Sequence, residues 1–198
     1  MTTTERNILL VDDDRLVLST LSRGLIGAGY SVSTAESVDD AEAFLAGGER
    51  PDLVILDVNM PGRSGLELVE RLRSFDHLPF MLLSAYSDQE IVDRATASGA
   101  LGYLVKPVDT PQLLPTIKAA LARAKDIQRL QASAQQLQGA LNSEREISIA
   151  IGITMVQYRL GRKAVFELLR KTARSQNRKL VELAADVIKA SETLNLGG

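Results

Sequence analysis

Short apolar runs and helical stripes alternate along the first 120 or so residues. Asn7-Ile8-Leu9-Leu10-Val11 is an unbroken apolar run that ends in Asp12-Asp13-Asp14. A run this short between polar boundaries predicts a strand buried on both faces. Leu16, Leu18, Leu21, Leu25 and Ile26 then recur at helical spacing over 15–27, and Gly27 and Gly29 supply stop signals. The theme repeats. A strand is expected over 30–34, a helix over 38–45, and a strand over 53–56 ending in Asp57. A helix follows over 64–74, then a strand over 80–83 ending in Ser84. A helix over 88–98, a strand over 101–105 ending in Lys106-Pro107, and a helix from 110 complete the set. Strands alternating with helices predict an α/β fold, a doubly wound parallel sheet with helices on both faces. Functional groups in such sheets collect at the carboxyl ends of the strands. Asp12, Asp13, Asp57, Ser84 and Lys106, scattered in sequence, are therefore expected to converge.

Beyond residue 118 the strand pattern stops and good helix formers take over. Ile127, Leu130, Ala134, Leu137 and Leu141 follow 3-4-3-4 spacing, a short heptad seam suited to a dimeric coiled coil or to docking on a neighbouring helix. Residues 144–160, 162–175 and 179–194 read as three further helices, with Gly161 and Asn177 as the breaks. The expected organisation is an α/β domain over 1–122, a helical coiled-coil linker over 123–143 and an all-α three-helix domain over 144–194.

Composition narrows the classes. The 198 residues are 45% hydrophobic and 24% charged, ordinary for a folded globular chain. The absence of cysteine excludes disulfides, thiol chemistry and cysteine-based zinc sites. Residues 1–6 lack the apolar core of a signal peptide, and no apolar stretch approaches the ~18 residues of a membrane span. A cytoplasmic location with no membrane partner is expected. The net charge of −2 conceals an asymmetry: 12 Lys/Arg against 18 Asp/Glu up to residue 125, then 11 against 7. An acidic half joined to a basic half suggests a different partner for each, with a polyanion a candidate for the second.

A carboxylate is a poor nucleophile toward a phosphoryl donor because both are negative, so a site built on Asp57 must neutralise charge and fix geometry. Magnesium prefers hard oxygen ligands and keeps several waters, so Asp13 and Asp57 suffice to hold it, with Asp12 acting through a water. Lys106 can pair with the phosphoryl oxygens as a point charge, and the Ser84 hydroxyl can donate to another. Phosphoryl transfer is then mostly positioning and electrostatics. The plainer readings are a helix N-cap for Asp12 and Asp13, turn positions for Asp57 and Lys106, and strand-edge packing for Tyr103. His77 reads as a surface residue.

Val11-Asp12-Asp13, Leu56-Asp57-Val58-Asn59-Met60-Pro61-Gly62, Leu83-Ser84-Ala85 and Leu104-Val105-Lys106-Pro107 resemble, in order and spacing over about 120 residues, the response-regulator receiver family. The resemblance implies a flavodoxin-like fold and a histidine kinase as phosphoryl source. It implies Asp57 as phospho-acceptor, Asp13 as magnesium ligand and the Asn59 backbone carbonyl as another. It further implies Ser84 and Tyr103 as the switch pair, with Gly65 matching the glycine after the phosphorylation loop. Self-catalysed phosphotransfer and dephosphorylation are the only chemistry expected. After residue 125 the sequence has no phosphate-binding glycine loop, metal-ligand cluster or nucleophile–base pair.

Ala150-x-Gly152-Ile153-x-Met155, Phe166-Glu167-Leu168-Leu169-Arg170, Ala173, Asn177-Arg178-Lys179-Leu180 and Ala184 resemble the ANTAR family, small three-helix RNA-binding domains of antitermination regulators. The residues agree in part. Arg170, Arg174 and Arg178 follow i, i+4, i+8 and would share a face if the helix ran on; with Lys179 they suit phosphate contacts. Small residues at Ala150 and Gly152 would let RNA approach, and Tyr158 can stack on an unpaired base or pack in the core. The sequence departs from the family at Ile151, where a lysine is usual, and at the basic stretch Arg159 to Lys163. The expected function is kinase-controlled homodimerisation and binding of leader RNA hairpins in transcription antitermination. The rivals are a regulator that sequesters a protein partner and a helix-turn-helix that binds DNA.

Overall fold

The computed structural model describes residues 6–85 and 97–195. They divide into two compact units, up to Gln128 and from Arg129. The first contains β1 (Asn7–Val11), α1 (Arg15–Gly27), β2 (Ser31–Ala35), α2 (Val38–Ala46), β3 (Leu53–Asp57), α3 (Gly65–Arg71), β4 (Phe80–Ser84) and β5 (Tyr103–Val105). Five parallel strands stand in the order β2-β1-β3-β4-β5. The order places the most apolar strands, β1, β3 and β4, in the centre, where both faces are covered. Alternation along each strand sorts two cores. Leu9, Val11, Val54, Leu56 and Leu82 meet α2 and α3 through Ala41, Leu45, Leu68 and Leu72. Ile8, Leu10, Leu53, Ile55, Met81 and Leu83 meet α1 and the first turns of the next helix through Leu18, Leu21, Leu25, Leu113 and Ile117.

Local signals start the helices where expected. Asp14 caps α1 through Leu16 and Val17, Ser37 caps α2 through Asp40, and Ser64 caps α3 through Leu66. The third helix is shorter than expected: Arg71 passes into a π-helical turn, Leu72–Asp76, which His77 closes in the left-handed conformation at φ 51°. The strand expected from Leu101 begins at Tyr103. The helix expected over 88–98 lies almost entirely outside the described residues.

The second half departs more. A single helix, α4 (Thr110–Tyr158), replaces the three pieces expected from 110 to 160. Nothing in that stretch stops a helix: a lone Gly139 among Gln, Ala and Leu weakens it without breaking it. The all-α unit is thus built from the last turns of α4 with α5 (Arg162–Ser175) and α6 (Leu180–Asn195). The break after α4 also falls differently. Arg159 takes the left-handed conformation at φ 55°, while Gly161 is the extended N-cap of α5; Asn177, at φ 52°, is the left-handed residue expected after α5. The core of this unit gathers Ala150, Ile151, Val165, Leu169, Ala173 and Ala184. Among the described residues no helix is long and apolar enough to cross a membrane.

Candidate functional site

The strand ends deliver their polar residues to one place. Asp12 follows β1, held by its amide on the Ala35 carbonyl at 3.1 Å. Asp57 closes β3. One more ladder bond past β5, from the Lys106 amide to the Ser84 carbonyl at 2.8 Å, sets Lys106 beside β4. Its Nζ lies 2.6 Å from Asp12 Oδ2 and 2.6 Å from Asp57 Oδ2. Asp12, Asp57 and Ser84 are buried, whereas Asp13 is exposed. Carboxylate oxygens of Asp12, Asp13 and Asp57 lie within 4.8 Å of one another. The Asn59 amide donates to Asp57 Oδ1 at 2.9 Å, and its side chain donates to Ser84 Oγ at 3.3 Å. Gly65 lies against the Asp57 carbonyl, where an added Cβ would collide with backbone. That contact seats the start of α3 against the end of β3.

Three carboxylates against one ammonium leave a negative excess in a half-enclosed pocket. Burial pushes Asp12 above the ordinary carboxylate range, and hydrogen bonding to Lys106 and the Asp14 amide only partly offsets it. For Lys106 burial works downward, but hydrogen bonds with Asp12 and Asp57 outweigh it and hold the ammonium above its ordinary value. Asp12 Oδ2 is buried with no hydrogen-bond partner beyond the facing Lys106 ammonium. Hard oxygen donors, excess negative charge and an under-satisfied buried oxygen suit a divalent cation. Tyr103 stands opposite Leu82 in the ladder and packs, half-buried, against the α2–α3 core.

Sequence reasoning missed Arg63. It donates to Asp39 at 2.8 Å, Glu42 at 2.8 Å and Glu67 at 3.0 Å, tying the loop after Asp57 to α2 and α3. Arg71 adds a contact to Glu42 at 3.6 Å. These hydrogen bonds draw Glu42 below its usual range.

In the helical unit the expected basic face is only partly assembled. Val165, Leu169 and Ala173 bury one stripe of α5, which leaves Arg170 and Arg174 exposed one turn apart. Lys171, also missed, joins them at a groove floored by Leu160, Ala164 and Leu168. The adjacency of Lys171 to Arg170 was the available signal. Arg178 does not continue the row, because α5 ends at Ser175; it pairs with Asp186 of α6 at 2.7 Å. Lys179 is exposed at the start of α6. Ala150 is wholly buried, which corrects its expected place on an RNA-facing surface, while Gly152 is exposed. Ile151 is 5% exposed within the core, so packing explains an apolar residue there. Tyr158 is exposed.

Comparison with known proteins agrees with this division. Residues 8–118 match the response regulator receiver domain and residues 135–188 the ANTAR domain. The transcriptional regulatory protein PdtaR of Mycobacterium tuberculosis is 30% identical over 189 residues, covering 95% of this chain and 92% of the relative. Its compatriot PrrA is 43% identical over 122 residues, which is 61% of this chain and 52% of that protein. The chemotaxis response regulator CheY4 of Vibrio cholerae is 35% identical with a TM-score of 0.55, covering 59% of this chain and 99% of the other. The aspartate cluster is of the kind on which receiver domains catalyse their own phosphotransfer and dephosphorylation. A five-stranded parallel receiver domain followed by an all-α ANTAR domain places this chain in the response regulator family, among the two-component signalling proteins with an ANTAR output.

Proposed function

We propose that this chain is phosphorylated on Asp57 by a histidine kinase and thereby controls RNA-hairpin binding in transcription antitermination. The observation that carries the reading is Lys106 set between Asp12 and Asp57 at the carboxyl ends of the strands, in a chain that also holds an ANTAR domain. Asp13, Asp57 and the Asn59 carbonyl would hold magnesium, with Asp12 acting through a water. When bound, the ion supplies charge neutralisation to the incoming phosphoryl group. The P–N bond of the kinase phosphohistidine breaks as a P–O bond forms to an Asp57 carboxylate oxygen. Lys106 draws on the phosphoryl oxygens and Ser84 donates a hydrogen bond to one of them. The hydroxyl's move pulls Ser84 toward the phosphoryl group, and the Tyr103 ring follows.

The working division is a receiver over 1–122, a linker over 123–143 and an RNA-binding domain over 144–194, in the cytoplasm. The exposed apolar residues Ile127, Leu130, Leu137 and Leu141 support a homodimer through that linker. Two basic faces, each with Arg170, Lys171 and Arg174 and flanked by Gly152, Arg178 and Lys179, would then hold paired hairpin loops and favour the antiterminator. The test is binding of purified full-length protein to a two-hairpin leader RNA at fixed salt, with magnesium, with and without beryllofluoride. Binding that strengthens with the mimic, and no longer does in Asp57→Ala, is the expected result. No RNA binding in either state, with duplex DNA also negative, would move the output to a protein partner.

A further inference from the structure

A cavity of about 500 Å³ opens at the end of the receiver sheet opposite Asp57. It lies where β1, β3 and β4 begin, a strand length or about 16 Å from the phosphorylation site. Pro51 and Asp52 lead into β3, Leu78 and Pro79 lead into β4, and α4 closes the side with Leu121, Ala124 and Lys125. The lining is basic in a domain with a large acidic excess. Arg6, Arg50 and Lys125 contribute to it, with His77 at the rim. Its one carboxylate, Asp52, is already committed: one oxygen accepts from the Asn7 amide at 2.9 Å and the other from the Arg6 guanidinium. The bond to Arg6 holds that side chain in place and leaves Arg50 and Lys125 without an acid in the lining to oppose them. His77 is fixed in turn, its Nδ1 on the Arg73 carbonyl at 2.9 Å and its backbone in the left-handed turn.

A concave surface lined by one sign of charge focuses the field on an opposite charge. The volume lies in the range of about 300–1,000 Å³ typical of small-molecule sites and is far more than one phosphate group fills. Leu78, Pro79 and Leu121 give the remainder an apolar floor. We propose that this cavity binds a small phosphate-bearing ligand with an apolar or planar body, of the nucleoside-phosphate class. The site is separate from Asp57 and does not depend on the phosphorylation reading. Its occupant bears on α4 at Ala124 and Lys125, the turn where the helix leaves the receiver core.

The test uses full-length protein in EDTA, which silences the carboxylate site, titrated with ADP, pyrophosphate and adenosine while backbone amide resonances are followed. ADP is expected to bind more tightly than either fragment and to shift the amides of Asp52, His77 and Lys125. Arg50→Gln/Lys125→Gln, and Lys125→Gln alone as a milder variant, should weaken ADP binding, by about tenfold for the double variant. Both should still accept label at Asp57, which shows that they are folded. Arg170→Gln/Arg174→Gln should bind ADP as the unaltered chain does. ADP affinity unchanged in the Arg50/Lys125 variant, lost instead in the Arg170/Arg174 variant, or matched by pyrophosphate would overturn the proposal.

Discussion

Lys106 stands between two buried carboxylates that would otherwise repel each other, and the same ammonium is placed to meet incoming phosphoryl oxygens. Lys106→Met should therefore lower labelling of Asp57 by acetyl phosphate by about a hundredfold, the scale of losing one preorganised electrostatic partner. A variant that labels at the normal rate would show that the ammonium is not used in transfer. Gly65→Ala puts a methyl group against the Asp57 carbonyl, where backbone must shift. A loss of about 1–3 kcal/mol in urea unfolding is expected, with slower labelling because the phosphorylation loop moves with it. Asp12, Asp13, Asp57, Ser84 and Lys106 were legible in the sequence because each closes an apolar run, and parallel strands bring their ends together. Arg63 was not, since its partners at 39, 42 and 67 come into reach only when α2 and α3 pack side by side. Ala150 read as an RNA-facing residue because smallness looks the same whether a helix approaches a ligand or another helix.

Among the elements, α2 and α3 are joined by charge as well as by the core beneath them. Glu42 sits below its usual range because of Arg63, so its ionised form favours the folded state. That contribution is fully present above the ordinary glutamate value of 4.5 and fades as the pH falls through the lower folded value. Glu42→Gln should lower the melting temperature at neutral pH, and the difference from the unaltered chain should close in acid, as followed by circular dichroism. A penalty that persists under acid would point to packing instead. Strand and helix identity was readable because periods of 2 and 3.6 differ clearly. The boundaries inside α4 were not, because a helix needs a reason to stop and residues 110–158 offer none. Replacing Leu130 and Leu137 with Gln leaves the helix formers in place but removes the middle of the apolar seam. Sedimentation should then show a monomer with or without beryllofluoride, while Asp57 labels normally. A dimer that survives both changes would place association elsewhere.

At the scale of the whole molecule, acidic and basic charge are segregated along the chain, so salt should act on the two halves differently. Phosphorylation chemistry in a half-buried pocket is little screened, whereas RNA binding through exposed arginines falls steeply with salt. Arg170→Gln/Arg174→Gln should flatten the log–log salt dependence of hairpin binding by about two, roughly one for each phosphate contact removed. An unchanged slope would show that these side chains face solvent in the complex. Residues 125–142 of α4 are exposed around the full circumference of the helix, with no neighbouring element to hold them. A helix without tertiary support is marginal in water, so this stretch opens and closes on its own account unless a second chain covers the apolar seam. Its hydrogen-exchange rate is therefore a gauge of assembly built into the backbone: fast while the chain is alone, and slow once it is paired.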